Sequence, residues 1–268
     1  MTAPALARPA RQGEPGYPGG RVYEHPITRA VVPSITAVDN MLAKDALKFW
    51  AARECAEYAA TNWVELAKLS IADRVEMIRK APWRVSGEAA ADGDTVHDAI
   101  DTYIKTGQAP SSATLGAWSL TARRMWRAFT LFDARYRPRW VNAEFTVWSD
   151  RFGYAGTADW SAYIGSGLVL GDTKTGKSVY PEVGLQVSAI ANADYILHPD
   201  GTQEPLPKWD RYAVLHVRPT YTRLSPLTNI PECFEAFKAL RILKYWDDYI
   251  APGIIGEAPK TESPLKAA

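Results

Sequence analysis

The hydrophobic pattern changes period at Pro138, and this change constrains the fold more than any other feature of the chain. Ahead of it, apolar residues recur at helical spacing. Val38, Met41, Leu42, Ala46, Leu47 and Trp50 follow Thr36, which can N-cap a helix. Ser70 is a second N-cap, before Ile71, Val75 and Ile78. A third helix is expected from about Gly93 to Lys105, closed by Gly107, and a fourth from about Ser112 to Tyr136, stopped by Pro138. Past Pro138 the run WVNAEFTVWS alternates and is rich in β-formers; FGYAGTADWSAYI and LVLGDTKTG follow, with GSG between them. Short strands with tight connections predict an antiparallel meander. PEVGLQVSAIANADYIL reads as a helix with Pro181 in its first turn, RYAVLHVRP as a strand, and IPECFEAFKALRILKYWDDYI as a closing helix. The prediction is an α+β chain with a single domain over 33–251, helical to about 137 and built on a sheet from about 138. Residues 1–32, rich in Pro, Gly and Arg, read as a flexible arm, and 252–268 as a tail.

Composition excludes several classes. A chain of 268 residues, 47% hydrophobic, has the material for a substantial core. Without an apolar run of membrane-spanning length, no membrane span is expected. Arg8 and Arg11 have no apolar segment behind them, so the N-terminus is not read as a secretory signal. A net charge of +1 excludes a generally polycationic protein and leaves room for a local basic channel. The two cysteines, Cys55 and Cys233, form neither a disulfide framework nor an intrachain four-thiolate site, and a reducing cytoplasmic setting is expected.

Two carboxylates stand out by position. Asp159 lies in GTADW on the second predicted strand, and Asp172 in LVLGDTKTG at the end of the third. A short hairpin brings them side by side as a hard-oxygen site for Mg²⁺ or Mn²⁺. Lys174 shares a strand face with Asp172, and the Thr173 carbonyl lies near them. Two carboxylates, a carbonyl and an ammonium suit phosphodiester cleavage: the ion activates water, and the lysine holds that water or balances charge. In GDTVHDAID, Asp94, His97, Asp98 and Asp101 share a helix face, which makes His97 a candidate nitrogen ligand. Arg123, Arg124, Arg127, Arg135, Arg137 and Arg139 cluster around the fourth helix, among Trp118, Trp126 and Trp140. Arg123 and Arg127 are candidate DNA contacts, as is Lys177, and Glu144 is a candidate extra acid.

Together these motifs resemble the PD-(D/E)xK nuclease superfamily, in particular its RecB-like exonucleases related to the fourth CRISPR-associated protein and found in phages. GDTVHDAID resembles the family's histidine motif, GTAD its first metal aspartate, GDTKTGK its D-x-K-T-G motif and LQVSAI its following helix motif. PSITAVDNMLAKDALKFWAARECAEYA resembles the opening of such phage proteins. The resemblance covers about residues 33–220. It implies a restriction-endonuclease-like core, a mixed sheet flanked by helices, and a metal-dependent DNA exonuclease of phage replication or recombination. It implies DNA as substrate, phage recombination proteins as partners and the host cytoplasm as location. His97, Asp159, Asp172 and the Thr173 carbonyl would bind the ion, Lys174 would be catalytic, and Gln186 would orient DNA or the site. The tyrosine that often follows the glutamine four residues on is replaced by Ile190, and nearby Tyr195 is a lesser candidate. Relatives with an iron–sulfur cluster use four cysteines, so no such cluster is expected here.

Two alternatives accompany this reading. GDTKTGKS, residues 171–178, fits the P-loop pattern and follows an apolar strand, as an ATPase would require. Against it, Pro181 suggests a later helix start, and the strand RYAVLHVRP ends without an Asp. A DNA-binding recombination partner without catalysis is the other.

Overall fold

A computed structural model describes residues 7–8, 20–42 and 45–257. Strands β1 (Ala7–Arg8), β2 (Val22–Glu24) and β3 (Val31–Pro33) form a small antiparallel sheet. Val22 and Tyr23 are buried, and the Tyr23 hydroxyl shares a 2.8 Å hydrogen bond with Thr157 Oγ1. Residues 20–32 are therefore part of the body rather than of a flexible arm, because their apolar side chains reach the main sheet. The other residues assigned to the arm, and 258–268 of the expected tail, lie outside the described residues, apart from the short strand β1.

The helical part is more broken than the periodicity predicts. Helix α1 (Ile35–Asp39) starts early because Ser34 Oγ, not Thr36, accepts the first-turn amide, that of Ala37, at 3.0 Å. It ends at Asn40, and the chain turns before α2 (Asp45–Thr61) and α3 (Trp63–Leu66). Ser70 caps α4 (Ile71–Arg79), as the sequence predicts. Helix α5 (Ala81–Thr106) begins well before Gly93, with Pro82 in its first turn, and Gly107 closes it at φ +71°. The expected fourth helix is two, α6 (Ser112–Ala117) and α7 (Leu120–Tyr136). Trp118 is extended, and Ser119 Oγ accepts the Ala122 amide at 3.0 Å to start a new cap.

Strands β4 (Arg139–Ser149), β5 (Tyr154–Ile164) and β6 (Gly167–Lys174) form the expected antiparallel meander. Helix α8 (Val183–Ala191) stops at Asn192, short of its predicted end. Tyr195–Leu197 is instead β7, buried along its length and hydrogen-bonded to β4. Strand β8 (Gln203–Pro205) pairs with β7, and β9 (Arg211–Arg218) runs parallel to β6. β10 (Tyr221–Pro226) hairpins onto β9. Helix α9 (Ile230–Tyr245) continues through a π-helical turn at Trp246–Ile250 into α10 (Ala251–Ile254).

The result is an α+β fold whose seven-stranded mixed sheet has the order β10-β9-β6-β5-β4-β7-β8. Helices cover both faces. Leu168, Leu170 and Val214 pack with α1, α8 and α9; Val169, Ala213, Leu215 and Val217 pack with α5 and α7. Burial of both faces explains the tryptophan-rich composition: Trp126, Trp148, Trp160 and Trp209 are core residues. Among the described residues, no helix is long and apolar enough to cross a membrane.

Candidate active site

The site forms where the central strands change faces. In a regular strand, residues two apart share a face. Here Ala158 packs with the α8–α9 cluster and Trp160 with the α5–α7 cluster. The exchange occurs at Asp159. Ala143 pairs with Trp160 and Phe145 with Ala158, so Glu144 on β4 is the facing residue, and its φ is +45°. A left-handed, non-glycine residue inside a strand is a strained conformation typical of functional sites. The β5–β6 ladder ends at Trp160–Gly171. Beyond it, Asp159 turns its carboxylate into the gap between the strands, where Thr173 N–H donates to Oδ2 at 2.7 Å.

Side chains converge on this gap from both layers. His97, on α5, places Nε2 3.1 Å from Asp159 Oδ2. Gly93 permits the approach, since a Cβ there would meet Thr175 Oγ1 at 2.5 Å. Continuing the register places Asp172 opposite Asp159. Lys174 Nζ lies 3.0 and 2.8 Å from the two Asp172 oxygens and 3.1 Å from Gln186 Oε1 on α8. Asp172 and Thr173 are buried. The sequence-predicted His97, Asp159, Asp172, Thr173, Lys174 and Gln186 are thus brought together.

Burial and paired charge set the electrostatics. Desolvation, reinforced by the Asp159 charge, pushes Asp172 up to about 7. For Asp159 burial works the same way, but the His97 hydrogen bond and charge and the Thr173 amide outweigh it and lower the pKa. Burial opposes the His97 imidazolium, yet Asp159, with Asp172 and Glu144 behind it, raises His97 to about 9. Burial also opposes the Lys174 ammonium, and Asp172, Asp159 and Asp39 overcome it and raise its pKa.

Other candidates fall elsewhere. Glu144 is exposed and pairs with Lys105 Nζ at 3.1 Å, which also pairs with Asp101 at 2.8 Å. Tyr195 is not at the site; its hydroxyl donates to Asp150 Oδ2 at 3.0 Å. Arg123 and Arg127 are exposed on α7, whereas Trp126 packs in the core with Trp118 and Trp140 against it. Those three indoles are occupied by packing rather than free to stack on bases. Lys177 is exposed in the loop after β6. That loop is not arranged as a P-loop: Gly171–Lys174 is strand, and α8 opens at Val183 rather than at Lys177–Ser178.

Sequence reasoning missed three contributors. Asp39, buried at the end of α1, adds negative charge around Lys174; an acid directly after the run ITAV was the available signal. His216 Nε2 lies 2.8 Å from the Gly176 carbonyl, and Arg218 donates to the Thr175 carbonyl at 2.6 Å. Both project from β9 and pin the loop that leaves the site. No sequence pattern announced them, because the parallel β6–β9 pairing creates the contact.

The donor set suits a hard divalent cation. Two carboxylates share a desolvated gap and destabilise each other's charge, with the Thr173 main chain between them and an imidazole at the rim. Among the described residues, no three His, Cys, Asp or Glu side chains close into a metal cage; His97 bonds Asp159 and Lys174 bonds Asp172 instead. No family model and no curated protein matches the sequence.

Proposed function

We propose that this protein is a metal-dependent deoxyribonuclease with a restriction-endonuclease-like core, acting as an exonuclease on DNA ends in phage replication or recombination in the host cytoplasm. One observation carries the reading: Asp159 and Asp172 face each other where β5 and β6 part, with Lys174 held on Asp172. The order of the GTAD, DTK and LQVSAI segments, which resembles the nuclease superfamily, supports it.

Mg²⁺ or Mn²⁺ would be held by Asp159, Asp172 and the Thr173 carbonyl, with His97 at the rim. When bound, such an ion supplies polarisation of a phosphoryl oxygen and a lowered pKa for water. The chain's own residues do the positioning. Lys174, its pKa raised, stays charged at neutral pH and places an ammonium beside Asp172, where it orients water and offsets charge developing on phosphate. Gln186 fixes the Lys174 rotamer through Oε1. His97 and the Thr173 amide fix the Asp159 carboxylate. With only Cys55 and Cys233 in the chain, the reading includes no iron–sulfur cluster.

The test is cleavage of end-labelled linear and closed-circular DNA, single- and double-stranded, in Mg²⁺, Mn²⁺ or EDTA. The expected result is metal-dependent loss of linear DNA only, reduced at least about 100-fold by Lys174→Ala. No cleavage with either metal overturns the assignment.

A further inference from the structure

Far from the acidic gap, an open hollow of about 430 Å³ lies between the end of α4 and the start of α5, lined by Arg79, Lys80, Trp83 and Arg84. The volume suits a nucleotide-sized group. Trp83 is 64% exposed, unlike the core tryptophans. The Arg84 guanidinium stacks 4.4 Å over the Tyr58 ring, and Arg84 also donates to the Met77 carbonyl, so this cation is held in place. Arg79 and Lys80 both pair with Glu76 at the surface, at 2.7 and 2.9 Å. Exposed pairs of this kind are weak and exchange readily for a phosphate.

Position along α5 relates the hollow to the acidic gap. Trp83 and His97 are on one unbroken helix. Fourteen residues separate them, about 21 Å along the axis and about 40° apart around it, so they lie on nearly the same helix face. Between them that face carries Gly87, Ala90 and Asp94, all exposed. The two small residues leave a low track, and Asp94 is a like charge upon it.

We propose that the Arg79–Lys80–Trp83–Arg84 hollow binds single-stranded nucleic acid, stacking a base on Trp83 and holding flanking phosphates on the three cations. This rests on the nuclease reading, which it deepens: the hollow grips the strand about six stacked nucleotides from the gap, at about 3.4 Å each. An exposed indole beside a held guanidinium and two further cations is the combination that binds unpaired bases irrespective of sequence. An acidic peptide would match the cations and leave the indole unused.

The experiment measures anisotropy of a labelled thymidine decamer with the full-length Lys174→Ala protein in EDTA, so that nothing is cleaved. Trp83→Ala is expected to weaken binding about tenfold, and Trp83→Phe to retain most of it. Glu76→Gln and Asp94→Asn are expected to tighten it, and Arg84→Ala to weaken it and flatten its salt dependence. Unchanged decamer affinity in Trp83→Ala overturns the proposal, as does polyglutamate that competes equally well with the decamer on the parent protein and on its Trp83→Ala variant. The outcomes separate the two readings. Trp83-dependent binding in a wild-type protein that cleaves nothing sinks the nuclease and leaves the hollow standing. Metal-dependent cleavage with Trp83-independent binding does the reverse.

Discussion

Glu144 and Asp159 face each other across β4 and β5, and both strands exchange faces at that pair. The left-handed backbone of Glu144 is how β4 accommodates the exchange, and the exchange is what turns Asp159 into the gap beside Thr173. Glycine adopts such a φ without strain, whereas a side chain there costs about 1 kcal/mol or more. Glu144→Gly should therefore unfold at equal or higher denaturant concentration than wild type, by up to about 1 kcal/mol after loss of the exposed Lys105 pair. Glu144→Ala keeps the strain and loses the pair, so it should be the less stable of the two. That ranking is opposite to the usual one in strands, where glycine weakens. Chemical denaturation of the three proteins decides the point. A Glu144→Ala protein more stable than Glu144→Gly would show that the backbone is not strained.

Trp160 lies flat over Gly171. A Cβ at 171 would sit 1.9 Å from the indole ring. The indole is fully buried, and its Nε1 donates to Thr173 Oγ1 at 3.1 Å, so it has nowhere to move. Gly171→Ala is thus expected to cost several kcal/mol, about as much as Trp160→Ala at roughly 3–5 kcal/mol. The double variant should cost little more than Trp160→Ala alone, well short of the sum of the two losses, because the clash goes with the ring. Thermal melts of the single and double variants measure this; strictly additive losses would refute the contact.

Much of this was legible in the sequence, and the failures share a cause. The β4–β5–β6 meander, the Ser70 cap and the Gly107 stop are local signals, written in adjacent residues. Asp159, Asp172 and Lys174 were readable because a hairpin with a short turn fixes their juxtaposition. The helix α5 was expected to open at about Gly93, where a glycine fits a helix end, but the missing side chain there instead admits Thr175 within an unbroken helix. Tyr195–Leu197 read as the end of a helix, since a short buried apolar run carries no period to distinguish the two states. Asp39, His216 and Arg218 reach the site only through long-range packing, and no spacing rule reveals that.

The loop leaving the site depends on β9. His216 bonds the Gly176 carbonyl, and its Nδ1 lies 3.3 Å from the Tyr221 hydroxyl, so Nε2 carries the proton and Nδ1 accepts. Arg218 takes the neighbouring Thr175 carbonyl. Removing both anchors, in His216→Ala/Arg218→Ala, should speed amide exchange in Thr175–Ser178 by about tenfold or more and leave exchange in α9 unchanged. Hydrogen-exchange mass spectrometry reports this directly. Protection that is unaltered in the loop would mean the strand end alone holds it.

Stability of the metal-free protein should fall as pH rises through two windows. Asp172 moves from 3.8 up to about 7, and His97 from 6.5 up to about 9. Each binds its proton more tightly folded than unfolded, so each contribution is complete below the lower value and lost as pH climbs through the upper one. Asp159, lowered below 3.8, acts in the opposite sense, and its contribution is lost only as pH falls below that range. Melting temperatures in EDTA at pH 4 to 10 should therefore show Asp172→Asn gaining on wild type between about pH 4 and 7. His97→Gln should lag most at low pH and converge with wild type between about pH 6.5 and 9. Curves for all three proteins that run parallel across both windows would mean that the paired charges at the gap do not govern its stability.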